Sequence, residues 1–324
     1  MRALIIGVSG QDGAYLSELL LAKGYEVSGT SRDANLSTFG NLTRLGIRDR
    51  VRLLSVAPND FRSVITALVQ VEPDEVYNLS GQSSVGLSFE QPVETMESIG
   101  IGTLNLLDAI RFTKRPIRFY NAGSGECFGD TNGRPADEDT PFRPRSPYAV
   151  AKAAAHFQVA NYREAYGLFA CSGILFNHES PLRPERFVTR KIVAAACRIA
   201  RGSGEKLHLG NTQVKRDWGW APEYVEAMWR MLQQEKPDDY VIATGETRSL
   251  DEFVEAAFEA VKLDARANVV SDQGLFRPTD IAGNYASVEK AARVLGWRAK
   301  LRMRETVQRM VAAELELQRA GAPR

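Results

Sequence analysis

Short apolar runs alternate with longer amphipathic stretches along the first half of the chain. Runs such as ALIIGV, EVYNLS and IRFYNA have the length of buried strands, whereas AYLSELLLAKG and DFRSVITALVQVEP have the periodicity of helices. Strands separated by helices of this length form βαβ units, whose parallel sheet is covered by helices on both faces. The pattern therefore predicts an α/β fold built on a doubly wound parallel sheet.

The pattern changes near Phe176. The polar, proline-bearing stretch NHESPLRPERF follows there, and shorter strand-like runs then mix with amphipathic helices. We predict a doubly wound domain over residues 1–176, with some later segments returning to its sheet. A smaller mixed α/β domain is predicted over residues 177–324.

Composition excludes several classes of function. A net charge of +1 over 324 residues gives no signature of nucleic-acid binding, and no apolar run has the length of a membrane helix. The N-terminus shows no signal-peptide pattern, so we expect a cytoplasmic protein that binds neither nucleic acid nor membrane. Cys127, Cys171 and Cys197 have no metal-ligand spacing, which predicts reduced thiols and no metal site.

The first predicted strand runs directly into GVSGQDG, where Gly7, Gly10 and Gly13 follow a GxxGxxG spacing. Glycines at a strand–helix junction let the backbone turn tightly and approach a pyrophosphate, which then lies at the positive N-terminus of the helix. A tight turn without a ligand would show the same spacing. The position at the first junction of a βαβ series nevertheless favours a dinucleotide site of the Rossmann type.

The end of the second strand distinguishes NAD from NADP. An NAD site usually has a carboxylate there for the ribose 2′-hydroxyl, whereas an arginine accepts the 2′-phosphate of NADP. Here Ser31 occupies the acidic position and Arg32 follows it. This arrangement favours NADP, and the adjacent Asp33 keeps NAD as the alternative.

The segment RSPYAVAKAAAHF places a tyrosine and a lysine four residues apart at the start of a predicted helix. Ser146 is the expected N-cap and Pro147 the first helical residue, so Tyr148 and Lys152 share one helix face. We expect the Lys152 ammonium to lower the pKa of Tyr148 from about 10 toward neutrality. The phenol would then act as a base for an alcohol proton.

A hydroxyl and a carboxylate follow the strand-like run IRFYNA, at Ser124 and Glu126 in NAGSGECFG. Sites in parallel sheets lie beyond the carboxyl ends of the strands. We expect Ser124 to hydrogen-bond the hydroxyl that Tyr148 deprotonates, and Glu126 to move a proton on carbon. The alternative is a loop carboxylate that caps a backbone turn.

These motifs together resemble those of the extended short-chain dehydrogenase/reductase family. Longer stretches are similar to the GDP-mannose 4,6-dehydratases within that family, and they cover nearly the whole chain: GVSGQDGAYLSELLLAKGYEV, EVYNLSGQSSVGLSFEQP, PFRPRSPYAVAKA, GILFNHESPLR and LGNTQVKRDWGWAPEYVEAMWRMLQQ. The resemblance implies NADP as the cofactor, a GDP-sugar as the substrate and a homodimer or homotetramer.

The resemblance also assigns roles to individual positions. The family's catalytic residues fall on Ser124, Glu126, Tyr148 and Lys152, with serine in place of threonine. Its cofactor contacts fall on Gly7, Gly10, Gln11, Asp12, Gly13, Arg32, Leu79, Ser80, Gly81, Tyr148, Lys152, His178 and Arg183. Its nucleotide-sugar contacts fall on Ser83, Asn177, Lys191, Arg216, Arg277 and Asp280.

The implied reaction removes water across C5 and C6 of GDP-mannose and leaves GDP-4-keto-6-deoxymannose. Tyr148 takes the C4 hydroxyl proton as hydride leaves C4, Glu126 removes the C5 proton, and the hydride returns to C6. The alternatives are a GDP-heptose dehydratase, a GDP-4-keto-sugar reductase, a nucleotide-sugar epimerase and a non-catalytic NADP-binding sensor. Neither a reductase nor an epimerase needs a carboxylate that abstracts the C5 proton, so Glu126 argues against both.

Two departures from the family's pattern affect these expectations. Where the family has a double arginine after the second strand, this chain has only Arg32, followed by Asp33. Gly123 and Gly125 flank Ser124 in place of larger residues. We expect these glycines to enlarge the pocket toward a bulkier sugar, such as a GDP-linked heptose.

Overall fold

A computed structural model describes residues 1–319, so residues 320–324 of the predicted range 177–324 lie outside the described part. The strands are β1 (Arg2–Ile6), β2 (Glu26–Ser31), β3 (Arg52–Ser55), β4 (Glu75–Asn78), β5 (Arg118–Ala122), β6 (Ala170–Leu175), β7 (Asn177–Glu179), β8 (Leu207–Leu209), β9 (Lys215–Trp220), β10 (Tyr240–Ile242), β11 (Thr247–Ser249) and β12 (Val269–Ser271). The helices are α1 (Gln11–Ala22), α2 (Gly40–Arg44), α3 (Phe61–Val71), α4 (Val85–Glu90), α5 (Pro92–Met96), α6 (Gly102–Thr113), α7 (Pro147–Tyr166), α8 (Val188–Ala200), α9 (Ala221–Leu232), α10 (Leu250–Ala260), α11 (Glu289–Leu295) and α12 (Met303–Arg319). A π-helical turn spans Glu97–Ile101, and 3₁₀ turns span Arg48–Arg50, Gly125–Phe128 and Gln273–Leu275.

A seven-stranded sheet with the order β10–β6–β5–β4–β1–β2–β3 forms the larger layer, and all its neighbouring strands are parallel. Its central strands are buried on both faces, which explains their continuous apolar runs. Tyr77 and Tyr120 pack in the cluster that contains α1 and α9 residues. Leu4 and Phe119 belong to the opposite cluster, with residues of α3 and α6. The predicted doubly wound α/β fold is confirmed.

The chain leaves this sheet after β6 and returns to it at β10, which pairs with β6. Between and after these strands it forms a three-stranded sheet, β11–β9–β7, and a two-stranded sheet, β12–β8. Helices α8, α10 and α12 pack together in a separate hydrophobic cluster with residues of β8 and β9. The return at β10 means that the segments after Phe176 contribute to both layers.

The register of the parallel strands places the ends of several strands side by side. Ile6 of β1 is level with Asn78 of β4, and Asn78 is level with Asn121 of β5. The carboxyl ends of β1, β4, β5 and β6 therefore open onto one edge of the sheet, where α/β enzymes bind their ligands. The loops that follow these strands carry the predicted site residues.

The cysteines and the helices of the structure bear on two expectations that were drawn from composition. Cys127, Cys171 and Cys197 are buried and unpaired with one another. Within residues 1–319, no helix is both long enough and apolar enough to span a membrane.

Candidate active site

A cleft at the carboxyl edge of the sheet consists of two adjoining cavities of about 450 and 670 Å³, which share Asp12, Arg183 and the loop after β4. All the predicted catalytic, cofactor and substrate residues line this cleft. The first cavity brings together Ser83, Ser124, Glu126, Tyr148, Lys152, Asn177, His178, Lys191, Arg216, Arg277 and Asp280. The second is lined by Gly7, Gly10, Gln11, Asp12, Gly13, Arg32, Leu79, Ser80 and Gly81.

The glycine turn between β1 and α1 is tight enough to require two of its glycines. Gly7 has a φ of +88°, and a Cβ there would lie 2.9 Å from the carbonyl oxygen of Leu79. A Cβ on Gly13 would lie 2.6 Å from the carbonyl oxygen of Gly7. Gly10 is the N-cap of α1 and supplies no side-chain cap, and the first residues of the helix line the second cavity. This is the geometry that a pyrophosphate requires.

A buried ion pair connects α1 to β7. Nε2 of His178 lies 2.9 Å from Oδ2 of Asp12, and the imidazole stacks on the ring of Tyr224 with a centroid distance of 4.5 Å. Burial alone would lower the pKa of His178, but the charge of Asp12 and its hydrogen bond raise it overall. Gln11 donates from Nε2 to the carbonyl oxygen of His178 at 2.9 Å. These contacts fix the junction between the glycine turn and the loop after β6.

Arg183 is held by a second buried carboxylate. Its Nε lies 3.1 Å from Oε2 of Glu179, which also accepts a hydrogen bond of 2.6 Å from the hydroxyl of Thr189. Burial raises the pKa of Glu179, and the charge of Arg183 opposes that increase. Arg183 also lines both cavities, so its cationic group lies where the predicted cofactor and sugar-nucleotide regions meet.

Ser124 and Tyr148 lie next to each other in the first cavity. Ser124 is the N-cap of the 3₁₀ turn Gly125–Phe128, and its Oγ accepts from the backbone N–H of Glu126 at 3.2 Å. Ser146 caps α7 by accepting from the N–H of Ala149 at 3.1 Å, and the helix begins at Pro147. This start places Tyr148 within hydrogen-bonding reach of Ser124.

Lys152 lies one helical turn after Tyr148, with its Nζ 5.8 Å from the centre of the tyrosine ring. The ammonium donates to the carbonyl oxygen of Ala122 at 2.7 Å and is buried. Burial lowers the pKa of Lys152 to about 8. The amine is therefore poised to change its charge near neutral pH.

The expectation that the pKa of Tyr148 falls from about 10 toward neutrality is wrong for this structure. Burial raises the pKa of Tyr148, and its hydrogen bond with Ser124 only partly opposes that increase. The physical reason is burial, which disfavours the charged phenolate more than the neighbouring groups favour it. The four-residue spacing places both residues on one helix face but does not show how deeply the phenol is buried.

Glu126 forms an ion pair with Arg216 at the floor of the first cavity. The two side chains are 13% and 7% exposed, and Oε1 of Glu126 lies 3.4 Å from Nε of Arg216. The same guanidinium lies 3.2 Å from Oδ1 of Asp280 and donates to the carbonyl oxygen of Ile281 at 2.8 Å. A buried carboxylate thus has a charged partner, and it lies in the same cavity as Ser124.

Cationic groups also line the more open part of this cavity. Arg277 is partly exposed, with its guanidinium 3.7 Å from Oδ1 of Asp280. Lys191 donates from Nζ to the carbonyl oxygen of His208 at 2.7 Å. Asn177 and Ser83 complete the predicted substrate residues in the wall. This charge distribution suits the diphosphate of a nucleotide sugar.

Arg32 and Asp33 differ in their surroundings. The Arg32 side chain is 82% exposed, lines the second cavity and lies 3.9 Å from a carboxylate oxygen of Glu94. Asp33 instead accepts from the backbone N–H groups of Asn35 and Leu36 at 2.9 and 3.2 Å. Its carboxylate therefore holds the turn after β2, and Arg32 is the residue directed to the cavity.

The expected enlargement of the pocket by Gly123 and Gly125 is wrong. A Cβ on Gly123 would lie 2.9 Å from the carbonyl oxygen of Gly173, and a Cβ on Gly125 would lie 2.8 Å from the ring of Phe176. Protein atoms already occupy the space that larger residues would use. The two glycines permit close packing of the turn against β6 and Phe176, so they give no support to a bulkier sugar.

Asn284 is a residue of the cleft wall that the sequence alone does not identify. Asn284 lines the first cavity, is 2% exposed and donates from Nδ2 to the carbonyl oxygen of Gly125 at 2.7 Å. It lies in the segment AGNYAS, which has no motif or periodicity that would single it out. Only the fold brings this amide to the turn that carries Glu126.

The described part of the chain contains no group of three or more His, Cys, Asp or Glu side chains that could hold a metal ion. Asp12, Glu179 and Glu126 are instead paired with His178, Arg183 and Arg216.

Sequence comparison identifies relatives over nearly the whole chain. The family model described as GDP-mannose 4,6 dehydratase matches residues 4–310. GDP-mannose 4,6 dehydratase 1 of Arabidopsis thaliana is 48% identical, covering 97% of this chain and 90% of the relative. The GDP-mannose 4,6-dehydratase of Sinorhizobium fredii is 44% identical, covering 97% of this chain and 96% of the relative.

Structural comparison identifies the same architecture in solved structures of other proteins. The UDP-glucose 4-epimerase of Thermus thermophilus, in complex with NAD, has a TM-score of 0.85 at 28% identity, with 97% of this chain and 99% of that chain covered. RMD from Pseudomonas aeruginosa, complexed with NADPH, has a TM-score of 0.80 at 22% identity, with 97% and 99% covered. The matches at the level of sequence and fold agree, and this chain belongs to the GDP-mannose 4,6-dehydratase family of extended short-chain dehydrogenases/reductases.

Proposed function

We propose that this chain is a hydro-lyase that converts GDP-mannose to GDP-4-keto-6-deoxymannose. The observation that carries the proposal is the presence of Glu126 in the same cavity as Ser124, Tyr148 and Lys152. The tyrosine and lysine serve oxidation at C4, which a reductase or an epimerase also needs. The carboxylate serves proton removal at C5, which only the dehydratase needs. Membership of the GDP-mannose 4,6-dehydratase family supports the same assignment.

NADP is the cofactor in this proposal, and the residues of the second cavity fit it. The tight turn at Gly7 and Gly13 and the open N-terminus of α1 suit a pyrophosphate, and Arg32 suits a 2′-phosphate. Oδ1 of Asp12 is buried and has no hydrogen-bond partner within residues 1–319. When bound, NADP supplies hydride acceptance from C4 and hydride return to C6, so the reaction has no net redox change.

Tyr148 is the proposed base for the C4 hydroxyl. Ser124 contacts the phenol and orients it toward the sugar, and Lys152 provides a positive charge one helical turn away. Because burial raises the pKa of Tyr148, proton removal depends on these neighbours. This role accounts for the position of all three side chains at the carboxyl end of β5 and the start of α7.

Glu126 is the proposed base for C5. Oxidation at C4 makes the adjacent C5 proton acidic, and a positioned carboxylate then removes it. Protonated Glu126 can donate that proton to the departing C6 hydroxyl, which leaves as water. The ion pair with Arg216 restrains the carboxylate.

In this proposal, positively charged side chains bind the GDP portion of the substrate. We assign the diphosphate to the cationic region formed by Lys191, Arg216 and Arg277, with Asn177 and Ser83 as further contacts and Asp280 orienting the two arginines. Residues 1–176 with β10 then serve mainly the cofactor, and residues 177–324 mainly the nucleotide sugar. This division of labour is part of the proposal.

We also propose a homodimer or homotetramer in the cytoplasm. The large apolar side chains of Phe112, Val150 and Phe157 are 71%, 44% and 60% exposed on the neighbouring helices α6 and α7. Exposed apolar groups on adjoining helices are typical of an interface between subunits. The unpaired cysteines support a reducing compartment.

The decisive experiment is mass analysis of the products from GDP-mannose and, in parallel, GDP-heptose. We expect loss of one water from GDP-mannose without added reductant, and no loss with Tyr148→Phe. An epimerase would leave the mass unchanged, and a reductase would require a 4-keto substrate together with a reduced cofactor. If GDP-heptose loses water and GDP-mannose does not, GDP-heptose replaces GDP-mannose as the substrate in this proposal.

A further inference from the structure

Asn284 connects a late segment of the chain to the turn that carries the proposed C5 base. Its backbone N–H donates to the carbonyl oxygen of Lys215 at 3.2 Å, and its carbonyl oxygen accepts from the hydroxyl of Thr247 at 3.2 Å. The side chain then reaches the turn, where Nδ2 donates to the Gly125 carbonyl at 2.7 Å. The backbone contacts hold Asn284 against β9 and β11, so its amide is a fixed support for the turn.

The contact with Gly125 also fixes the orientation of the amide. Only the NH₂ group can donate to a carbonyl oxygen, so the other side-chain atom must be the oxygen. This Oδ1 is buried and has no hydrogen-bond partner in the described part of the chain. A buried acceptor without a partner is unfavourable, and an apolar side chain of similar size would avoid that cost.

The location of Asn284 suggests that its unpartnered side-chain oxygen contacts a bound ligand. Asn284 lies in the wall of the first cavity together with Ser124, Glu126 and Arg216. Glu126 has a proposed role at C5 of the sugar, and Arg216 has one at the diphosphate. A sugar carries several hydroxyl groups, each of which can donate a hydrogen bond to an amide oxygen.

We propose that Asn284 is a further substrate-binding residue of this site, with two functions. Its Nδ2 holds the Gly125 carbonyl and thereby positions Glu126, and its Oδ1 accepts a hydrogen bond from a hydroxyl of the bound hexose. The inference rests on the proposed function, because it assigns the hexose of a GDP-sugar to this wall. It adds a recognition element that distinguishes the sugar from the nucleotide.

A binding comparison tests the contact with the sugar. Affinities for GDP and GDP-mannose are measured in the NADP-loaded Tyr148→Phe background, so that binding is not followed by reaction. We expect Asn284→Leu to weaken GDP-mannose binding by about 5- to 10-fold, the usual effect of one lost hydrogen bond, with GDP binding unchanged. The matched control is Asn268→Ala, which removes an amide-to-carbonyl contact with Asp264 outside the cleft.

A second variant separates the two functions. Asn284→Asp keeps an acceptor but cannot donate to the Gly125 carbonyl when ionised. We expect it to retain more GDP-mannose affinity than Asn284→Leu, while turnover in the Tyr148-containing enzyme falls because Glu126 is less well held. Equal weakening of GDP and GDP-mannose by Asn284→Leu, or no weakening of either, would overturn the contact with the sugar.

The result of the binding comparison does not depend on whether the protein catalyses the proposed reaction. The measurement depends on the difference between a GDP-sugar and GDP, and unchanged GDP binding by Asn284→Leu also shows that the variant is folded. If the unmutated protein binds GDP-mannose but releases no water from it, the proposed function fails and the role of Asn284 in binding is still decided. If Asn284→Leu unfolds, the affinities of Asn284→Asp and of an Asn284→Ala variant decide the same question.

Discussion

Nε of Arg216 lies 3.4 Å from Oε1 of Glu126, in a part of the cleft where the Arg216 side chain is buried and the Glu126 side chain is 13% exposed. The contact links the turn after β5 to β9, two elements that are distant in sequence. It restrains the direction of the carboxylate, and the proposed chemistry depends on that direction because the C5 proton is fixed by the bound sugar.

Replacement of Glu126 by glutamine should separate binding from chemistry. The amide has nearly the same shape but cannot accept the C5 proton, so we expect turnover to fall by about 10²- to 10⁴-fold with GDP-mannose affinity nearly retained. Exchange of the C5 hydrogen with solvent deuterium should disappear as well. Glu164→Gln, at an exposed position of α7, is the control. Undiminished turnover in Glu126→Gln would show that another group is the base.

Loss of the charge on Lys152 should limit the activity of the enzyme at alkaline pH. Burial lowers the pKa of Lys152 to about 8, so the amine is charged below that pH and neutral above it. If the charge assists proton removal by Tyr148, kcat/KM should fall as the pH rises through about 8. In Lys152→Arg the guanidinium stays charged, and we expect the alkaline fall to vanish even if the overall rate is lower. An identical alkaline fall in both proteins would assign it to a different group.

Arg32 should determine the preference for NADP. It is the exposed cation that lines the second cavity after β2, and a charge-assisted contact with the 2′-phosphate is worth about tenfold in affinity. Arg32→Ala should therefore weaken NADP binding by about tenfold and leave NAD binding nearly unchanged. Arg298→Ala provides the control, because it removes another exposed arginine that pairs with a surface glutamate. Equal affinities for the two dinucleotides in the unmutated protein would contradict the NADP assignment.

Asp217 should make stability depend on pH. It is fully buried on β9 and accepts from the N–H groups of Thr244 and Gly245 at 3.0 and 2.7 Å. Burial raises the pKa of Asp217 to about 6, above the value of about 3.9 for an unfolded chain. The folded state therefore holds the proton more tightly, and this stabilisation is complete below about pH 4 and lost as the pH rises through about 6. The loss is on the order of 2–3 kcal/mol.

Thermal unfolding between pH 4 and pH 8 measures this contribution. Asp217→Asn cannot ionise, so the fall in stability with increasing pH should be smaller than in the unmutated protein. The asparagine also loses one of two acceptors, which lowers stability by a similar amount at every pH and does not change the slope. Asp49→Asn, at an exposed position, controls for a change in net charge. Parallel curves for Asp217→Asn and the unmutated protein would rule out this role.

Local sequence features were sufficient to predict much of the site. The apolar run IRFYNA forms β5, and Ser124 and Glu126 follow it at the carboxyl edge of the sheet. Ser146 and Pro147 begin α7 as capping rules require, and this start places Tyr148 beside Ser124. Each of these features depends on interactions between residues that are close in the chain.

Long-range contacts could not be predicted in the same way. The Asn284 amide and the Gly125 carbonyl are brought together only by the complete fold, and so are Arg216 and Glu126. The direction of the Lys152 ammonium depends on the carbonyl at the end of β5 and on burial, neither of which is encoded in the four-residue spacing. The type of a residue was enough to predict the chemistry of its side chain. The group that the side chain contacts depended on the fold.

The return of β10 to the large sheet has a consequence for folding and for attempts to shorten the protein. A chain that ends after β6 would leave the N–H and C=O groups on one side of that apolar strand unpaired, because their partner is Tyr240–Ile242. Unpaired, apolar strand edges associate with one another and lead to aggregation. Residues 1–176 are therefore not a separable module, and during synthesis the large sheet remains open until the chain has been extended beyond Ile242.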